Sequence, residues 1–222
     1  TANNNTAVGS YSLGANTTGA QMTAVGTSAL AASTTATGCT ALGFRSLNDN
    51  TTGDWNIGVG YDALGLNTTG INNTAVGTFA LDASTTASNN TAVGYNALSD
   101  NTSGTYNTAV GSLALENSTT GISNTAVGGQ ALQGNTTGDY NVAMGVNALD
   151  KNTTADGNTG IGAGALATNT TGANNVAVGY DALSVNTTAS NNTAVGQNAL
   201  LANTTGHTNV AVGRNAGLSV TT

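Results

Sequence analysis

The chain has 222 residues, of which only 6% are charged and 4% are aromatic, and its formal net charge is −7 with three Lys and Arg residues. This balance excludes a nucleic-acid-binding protein, which needs clustered basic side chains against phosphate, and it disfavours binding to anionic lipid. No apolar run approaches the roughly 20 residues that cross a bilayer, so we expect no membrane insertion. A single cysteine, Cys39, excludes an intrachain disulfide.

A repeat of 17 residues runs through the whole chain and is most visible in one glycine column, which has no insertion or deletion between copies. A fixed period of this length is typical of an array in which each unit contacts only its neighbours. Neither end carries an atypical capping repeat. We therefore expect residues 1–222 to form one continuous array of thirteen coils, without separate domains, cut from a longer fibre. The glycine column comprises Gly9, Gly26, Gly43, Gly60, Gly77, Gly94, Gly111, Gly128, Gly145, Gly162, Gly179, Gly196 and Gly213.

The first predicted element of each unit is a short strand that ends at this glycine. Its triplet, as in Thr6-Ala7-Val8 and Val176-Ala177-Val178, consists of β-prone and small residues. Stacked coils would pair each triplet with its copies above and below, about 4.8 Å apart. No window shows sustained helical periodicity. The sequence therefore predicts an all-β fold, a β-solenoid or β-roll.

The second element is a small residue followed by Leu, as in Ala29-Leu30 and Ala63-Leu64. Both faces of the preceding triplet are small or apolar, and a strand of this kind is usually buried on both sides. One face would cover the coil interior, and the other would pack against further chains, unless its alanines simply face solvent. The predicted core comprises Val8, Leu30, Leu64, Val76, Val93, Leu98, Leu132, Leu149, Val178 and Leu183.

Two asparagine-containing segments complete each unit. Asn or Ser precedes Thr-Thr and then Gly or Ala, as in Asn16-Thr17-Thr18-Gly19, and a lone Asn precedes the next triplet, with Met22 and Cys39 as its only exceptions. Glycine and asparagine tolerate positive φ, so we expect the glycine column and the Asn positions to supply the corners. Stacked Asn side chains can also form an amide ladder along the axis.

The complete repeat, Asn-Thr-Ala-Val-Gly-x-x-Ala-Leu-x-x-Asn-Thr-Thr-Gly, resembles the head repeats of trimeric autotransporter adhesins. It is still more similar to the arrays of phage tail-fibre-like and bacterial surface proteins that carry a C-terminal intramolecular chaperone. The resemblance implies that Val176-Ala177-Val178-Gly179 forms the strand of a left-handed β-roll and that three chains associate about a common axis. The 17-residue period and the added Asn-Thr-Thr-Gly turn differ from the adhesin heads.

Catalytic chemistry finds little support in the sequence. His207 is the only histidine and lies in a variable turn, and one His with one Cys cannot build a zinc site from protein ligands. No glycine is followed by a helix N-terminus, so a phosphate-binding loop is not expected. We predict no enzyme activity, no cofactor and no metal site. The acids after the leucine are interpreted as solvated charges that keep the fibre soluble; they are Asp49, Asp82, Asp100, Glu116 and Asp150.

Aromatic residues occupy variable positions, where they could contact a cell-surface glycan or receptor, although scattered exposed aromatics are also ordinary. They include Trp55, Tyr61, Tyr95, Tyr106, Tyr140 and Tyr180.

Two adjacent threonine columns provide the alternative function. The second column runs from Thr18 to Thr222 and is interrupted only by Ser103. Ranks of Thr about 4.8 Å apart resemble the flat faces of ice-binding β-solenoids. Against this, adjacent residues of a strand point to opposite faces, and Thr in a turn can bond the backbone. The first column includes Thr17, Thr34, Thr51, Thr68, Thr85, Thr102, Thr119, Thr136, Thr153, Thr170, Thr187 and Thr204.

These observations favour a structural fibre segment of an extracellular adhesin, a phage tail fibre or a surface filament, located outside the cell or on a virion. We expect it to self-associate, as a homotrimer or a filament, and to act in attachment or assembly. Ice binding by the threonine columns is the alternative.

Overall fold

The computed structural model describes residues 2–221, which form an all-β, parallel β-solenoid with a regular 17-residue period. No helix occurs in this range. The chain divides into two compact units, Thr1–Asn107 and Thr108–Thr222. The predicted fold class is therefore confirmed as a β-solenoid, while assembly into a homotrimer stays a prediction.

Each coil contributes one strand of three residues, and strands in neighbouring coils of a unit pair in parallel with equivalent residues opposite one another, as in Ala7 against Ala24. The first unit contains β1 (Thr6–Val8), β2 (Thr23–Val25), β3 (Thr40–Leu42), β4 (Ile57–Val59), β5 (Thr74–Val76) and β6 (Thr91–Val93). The second contains β7 (Thr108–Val110), β8 (Thr125–Val127), β9 (Val142–Met144), β10 (Thr159–Ile161), β11 (Val176–Val178), β12 (Thr193–Val195) and β13 (Val210–Val212).

Hydrogen bonds between coils continue around the perimeter, well outside the strands. The Leu30 amide donates to the Ser46 carbonyl at 3.1 Å, and the Thr17 amide donates to the Thr34 carbonyl at 3.0 Å. In the segment that precedes the strand, the Gln21 amide donates to the Asn3 carbonyl at 3.0 Å. Backbone groups buried between stacked coils are thus paired even where the chain turns, which explains how so little strand supports a regular fold.

The core is built from alanine and leucine. The middle residue of each triplet points inward, as Ala75 and Ala92 show with no exposed surface, and it packs beside the small-plus-Leu pair. The predicted core leucines have no exposed surface; they are Leu30, Leu64, Leu98, Leu132, Leu149 and Leu183.

The predicted core valines are a correction to the sequence-based account. Val76, Val93 and Val178 are partly exposed, because the first and third residues of each triplet point away from the interior. Val8 is 57% exposed and belongs to the first triplet, in which Ala7 is exposed as well. Alternation along a strand allows only one of the two sets to face inward. The narrow interior, already occupied by leucine, takes the smaller alanine.

The turn after the strand depends on positive φ angles. In the coil that begins at Gly128, the amides of Ala131 and Gln133 donate to the carbonyls three residues earlier, at 3.3 and 3.4 Å. The third residues of these two turns, Gln130 and Leu132, have φ of 58° and 53°. A positive φ at this position is the feature of a type II turn, and it normally favours Gly or Asn.

The glycine column is required by a close approach between coils. Gly77 has φ +136°, and a Cβ atom placed there would lie 2.3 Å from the carbonyl oxygen of Gly94. The other glycines of the column share this conformation, with φ between 126° and 140°. No L-residue with a side chain fits such a stack, which explains the invariance.

The asparagines form buried ladders, and here one expectation is corrected. The lone Asn before each strand is not among the residues with positive φ; those lie one position earlier and include Trp55, Tyr106 and Tyr140. The lone Asn instead points inward, as Asn175 shows by donating from Nδ2 to Asn158 Oδ1 at 3.2 Å and to the Ala189 carbonyl at 2.9 Å. The predicted amide ladder is thus present between coils.

Candidate functional site: the outer strand face, the threonine columns and a pocket

The outer strand face consists of the first and third residues of each triplet. In β4 it presents Ile57, 40% exposed, and in β9 it presents Met144, 43% exposed. The same positions hold Thr, Val or Ile in nearly every coil, so the stripe carries no charge. An uncharged, β-branched surface one strand wide is thus exposed in each unit.

The two threonine columns differ in exposure, and the second is the more exposed of the two. The second column is exposed in every described coil. The first column is only partly exposed in most coils, and in those coils its hydroxyl donates a hydrogen bond to a backbone carbonyl. The Thr68 hydroxyl, for example, donates to the Thr85 carbonyl at 2.9 Å. These hydroxyls therefore serve the fold as well as the surface.

Aromatic side chains are exposed, and three of them form a contiguous group. The rings of Phe44 and Tyr61 stack with centroids 5.3 Å apart, and Tyr61 contacts Phe79 edge-on at 5.3 Å. Trp55, Tyr95, Tyr106, Tyr140 and Tyr180 are between 53% and 65% exposed.

A pocket of about 220 Å³ lies beside this aromatic group, in the first unit. The Arg45 Nε atom lies 3.2 Å from the Asp62 Oδ1 atom, and the Asp62 side chain is largely buried. Burial raises the pKa of Asp82 to about 6, with smaller contributions from the charges of Asp100 and Asp62. The pocket is lined by Arg45, Asp62, Gly65, Leu66, Phe79 and Asp82.

Asp82 therefore differs from the solvated charge that the sequence predicted, because its carboxylate is half-buried. The residue that follows the column leucine differs from coil to coil, so the sequence does not distinguish Asp82 from the other residues at this position. The available signal was Gly65, which removes a side chain from that column one coil before Asp82 and leaves space beside an aromatic residue.

Cys39 and His207, the only Cys and His of the sequence, both form hydrogen bonds with the backbone. Cys39 is buried, its Sγ atom donates to the Gly53 carbonyl at 3.2 Å, and burial raises the pKa of its thiol to about 11. A reactive thiol needs a lowered pKa. The exposed His207 accepts a hydrogen bond at Nδ1 from the Ser190 amide at 2.9 Å.

Within residues 2–221, no group of three or more His, Cys, Asp or Glu side chains could hold a metal ion. In the same range there is no helix with the length and apolar character needed to cross a membrane.

Comparisons with protein families, with curated proteins and with solved structures found no match. The class of the protein therefore rests on the fold itself, a parallel β-solenoid of 17-residue coils.

Proposed function

We propose that this chain is a structural segment of an extracellular fibre that acts in attachment or assembly and not in catalysis. Adhesin heads, phage tail fibres and surface filaments are the classes that its repeat resembles, and this resemblance also supports a location outside the cell or on a virion. In this proposal the outer strand face self-associates, as a homotrimer or a filament, and the variable turn residues are left to contact a receptor or a cell-surface glycan.

The observation that carries the proposal is the uncharged outer strand face. It stays apolar or Thr in every coil, whereas the positions that follow the column glycine and the column leucine vary between residues such as Asp, Tyr, Gly and Gln. Fully burying an exposed Val side chain contributes about 1.5–3 kcal/mol, and the partly buried valines of this face would each contribute less on association. Because the same contact would recur in every coil, the free energy of association would increase with the number of coils.

A double substitution on the outer strand face tests the proposal. Val76→Lys with Val93→Lys places two charges in the stripe without touching the alanine and leucine interior. A matched control, Thr52→Lys with Thr69→Lys, adds the same charge in the exposed second threonine column. We expect size-exclusion chromatography with light scattering to show dissociation for the valine pair and the wild-type mass for the threonine pair. Retention of the wild-type mass by both would contradict the proposal.

Ice binding is kept as a second candidate function because the second threonine column is exposed in every described coil. Exposed hydroxyls repeated at the spacing of parallel strands, about 4.8 Å, form an ordered polar face. The lysine pair in the second column also tests this candidate, through thermal hysteresis of freezing. A wild-type hysteresis that Thr52→Lys with Thr69→Lys abolishes would support it, and no hysteresis in the wild type would exclude it.

A further inference from the structure

We propose that the pocket lined by Arg45, Asp62, Gly65, Leu66, Phe79 and Asp82 binds a primary alkylammonium group, such as the end of a lysine side chain or of a polyamine. The pocket is formed by turn residues that lie between the strand and the Asn-Thr-Thr segment of each coil, and it includes no residue of the outer strand face. The inference therefore goes beyond the proposed function.

The pocket exists because Gly65 has no side chain. Equivalent residues in the neighbouring coils are Asn48 and Asp82, so the column is filled on both sides and empty between them. Gly65 does not have a positive φ, and a Cβ atom there would lie 3.2 Å from Asp62 Oδ1. Glycine is thus not required by the backbone conformation at this position, and its main effect is the space it leaves.

The charge of the pocket favours a cation. Its one basic residue, Arg45, is paired with Asp62 at 3.2 Å, which leaves the Asp82 carboxylate without a basic partner among the lining residues. Asp100 adds a further negative charge near Asp82. Opposite charge within a partly desolvated site interacts more strongly than in bulk water.

The apolar lining of the pocket suits an alkyl stem. Leu66 and Phe79 supply apolar surface, and Phe79 is held in place by the edge contact with Tyr61. An ammonium beside an aromatic face gains additional electrostatic attraction. A neutral sugar would stack on Phe79 equally well, but it would leave the charge of Asp82 unpaired.

The state of Asp82 is consistent with a site that awaits a cation. Its desolvation raises the pKa of the carboxyl to about 6, so the ionised form is unfavourable in the ligand-free chain. A bound ammonium would offset that desolvation. Residues that bind ligands commonly reduce the stability of the ligand-free protein.

The test uses the whole chain and n-butylammonium as the probe, with n-butanol as a neutral probe of the same size. Binding is measured at pH 7.5 by isothermal titration calorimetry and by amide chemical shifts around Gly65. We expect saturable binding of butylammonium, at least tenfold weaker in Asp82→Asn, and no comparable binding of butanol. Asn48 in the same column shows that Asn is compatible with the turn.

A second variant, Gly65→Gln, fills the pocket and keeps both carboxylates; Gln133 occupies the same column in another coil. We expect it to abolish binding while Asp150→Asn, at the equivalent position to Asp82 in the second unit, leaves it unchanged. Absence of saturable binding to the wild type, equal affinity for butanol, or unchanged affinity in both pocket variants would overturn the proposal. Comparison of Nα-acetyl-lysine amide with putrescine then distinguishes a lysine side chain from a free polyamine. None of these outcomes depends on the mass of the assembly, so they are independent of the proposed function.

Discussion

At the residue scale, the leucine column shows how conformation and burial select one side chain. The leucines from Leu13 to Leu200 have φ between 50° and 54°, a region that L-residues rarely adopt. A β-branched residue is especially unfavourable there, which explains why Val and Ile occupy the strand but never this column. Leu fills the interior without branching at Cβ.

Leu98→Ile tests this explanation, because the substitution conserves volume and hydrophobicity but adds a branch at a φ of +54°. We expect it to lower the free energy of unfolding by about 1–3 kcal/mol, measured by urea denaturation. Leu98→Met, which is unbranched, is the control and should cost less than about 1.5 kcal/mol. Equal losses for Ile and Met would show that packing alone selects leucine.

Asp82 gives a pH dependence whose sign follows from its environment. Folding raises the pKa of this carboxyl from 3.8 to about 6, so between these values the folded chain binds more protons than the unfolded one. The contribution of Asp82 to stability therefore increases as the pH falls through 6 and is complete below about 4. The like charges of Asp62 and Asp100 act in the same direction, and Arg45 is engaged with Asp62.

We expect Asp82→Asn to melt at a higher temperature than the wild type at pH 7.5 and to differ from it much less at pH 4. Circular dichroism melts at the two pH values measure this difference. A gap between the two proteins that is independent of pH would mean that the carboxyl is well solvated.

At the element scale, the stability of a coil depends on ladders that cross from one coil to the next. In the second unit the asparagines of the Asn-Thr-Thr segments form a ladder, in which Asn152, Asn169 and Asn186 each donate to the preceding Asn Oδ1 at 2.8–3.0 Å. Serine interrupts the ladder at Ser84 in the first unit and at Ser118 in the second. Both hydroxyls, and the Asn67 Oδ1 atom, are buried with no partner among the described residues.

Ser84→Asn should repair the first of these interruptions, because Asn at the equivalent position donates both to the preceding Asn and to the carbonyl three residues later. We expect an increase in the free energy of unfolding of about 0.5–1.5 kcal/mol for the restored bond. Asn169→Ser, which creates the same interruption in the second unit, should be destabilising. If Ser84→Asn were also destabilising, the site would lack room for the amide, and the ladder would not be what selects Asn.

Much of each element could be predicted from the sequence, since the period, the strand triplet and the glycine column are all expressed in residue type. The direction of the triplet could not, because Thr-Ala-Val is acceptable on either face until the width of the interior is known. The pocket at Gly65 was hidden for a related reason. It depends on which side chains stand beside each other in three successive coils, and the repeat pattern records only columns.

At the scale of the whole molecule, the proposed function depends on what covers the outer strand face. The interior of each unit consists mainly of alanines, leucines and asparagines that are buried within the chain itself. The outer strand face and the second threonine column both repeat in composition and remain at least partly exposed, but only the strand face carries apolar side chains. A chain that self-associates through it leaves the turn columns, with the aromatic residues and the pocket, available for partners.

Sedimentation equilibrium of the 222-residue chain measures this directly, at several concentrations and at pH 7.5. We predict a mass of about three times the 21.5 kDa of one chain, or a higher multiple if filaments form. A mass of 21.5 kDa at every concentration would contradict the central claim. It would mean that the outer strand face is stable in water, and the threonine columns would then be the stronger indication of function.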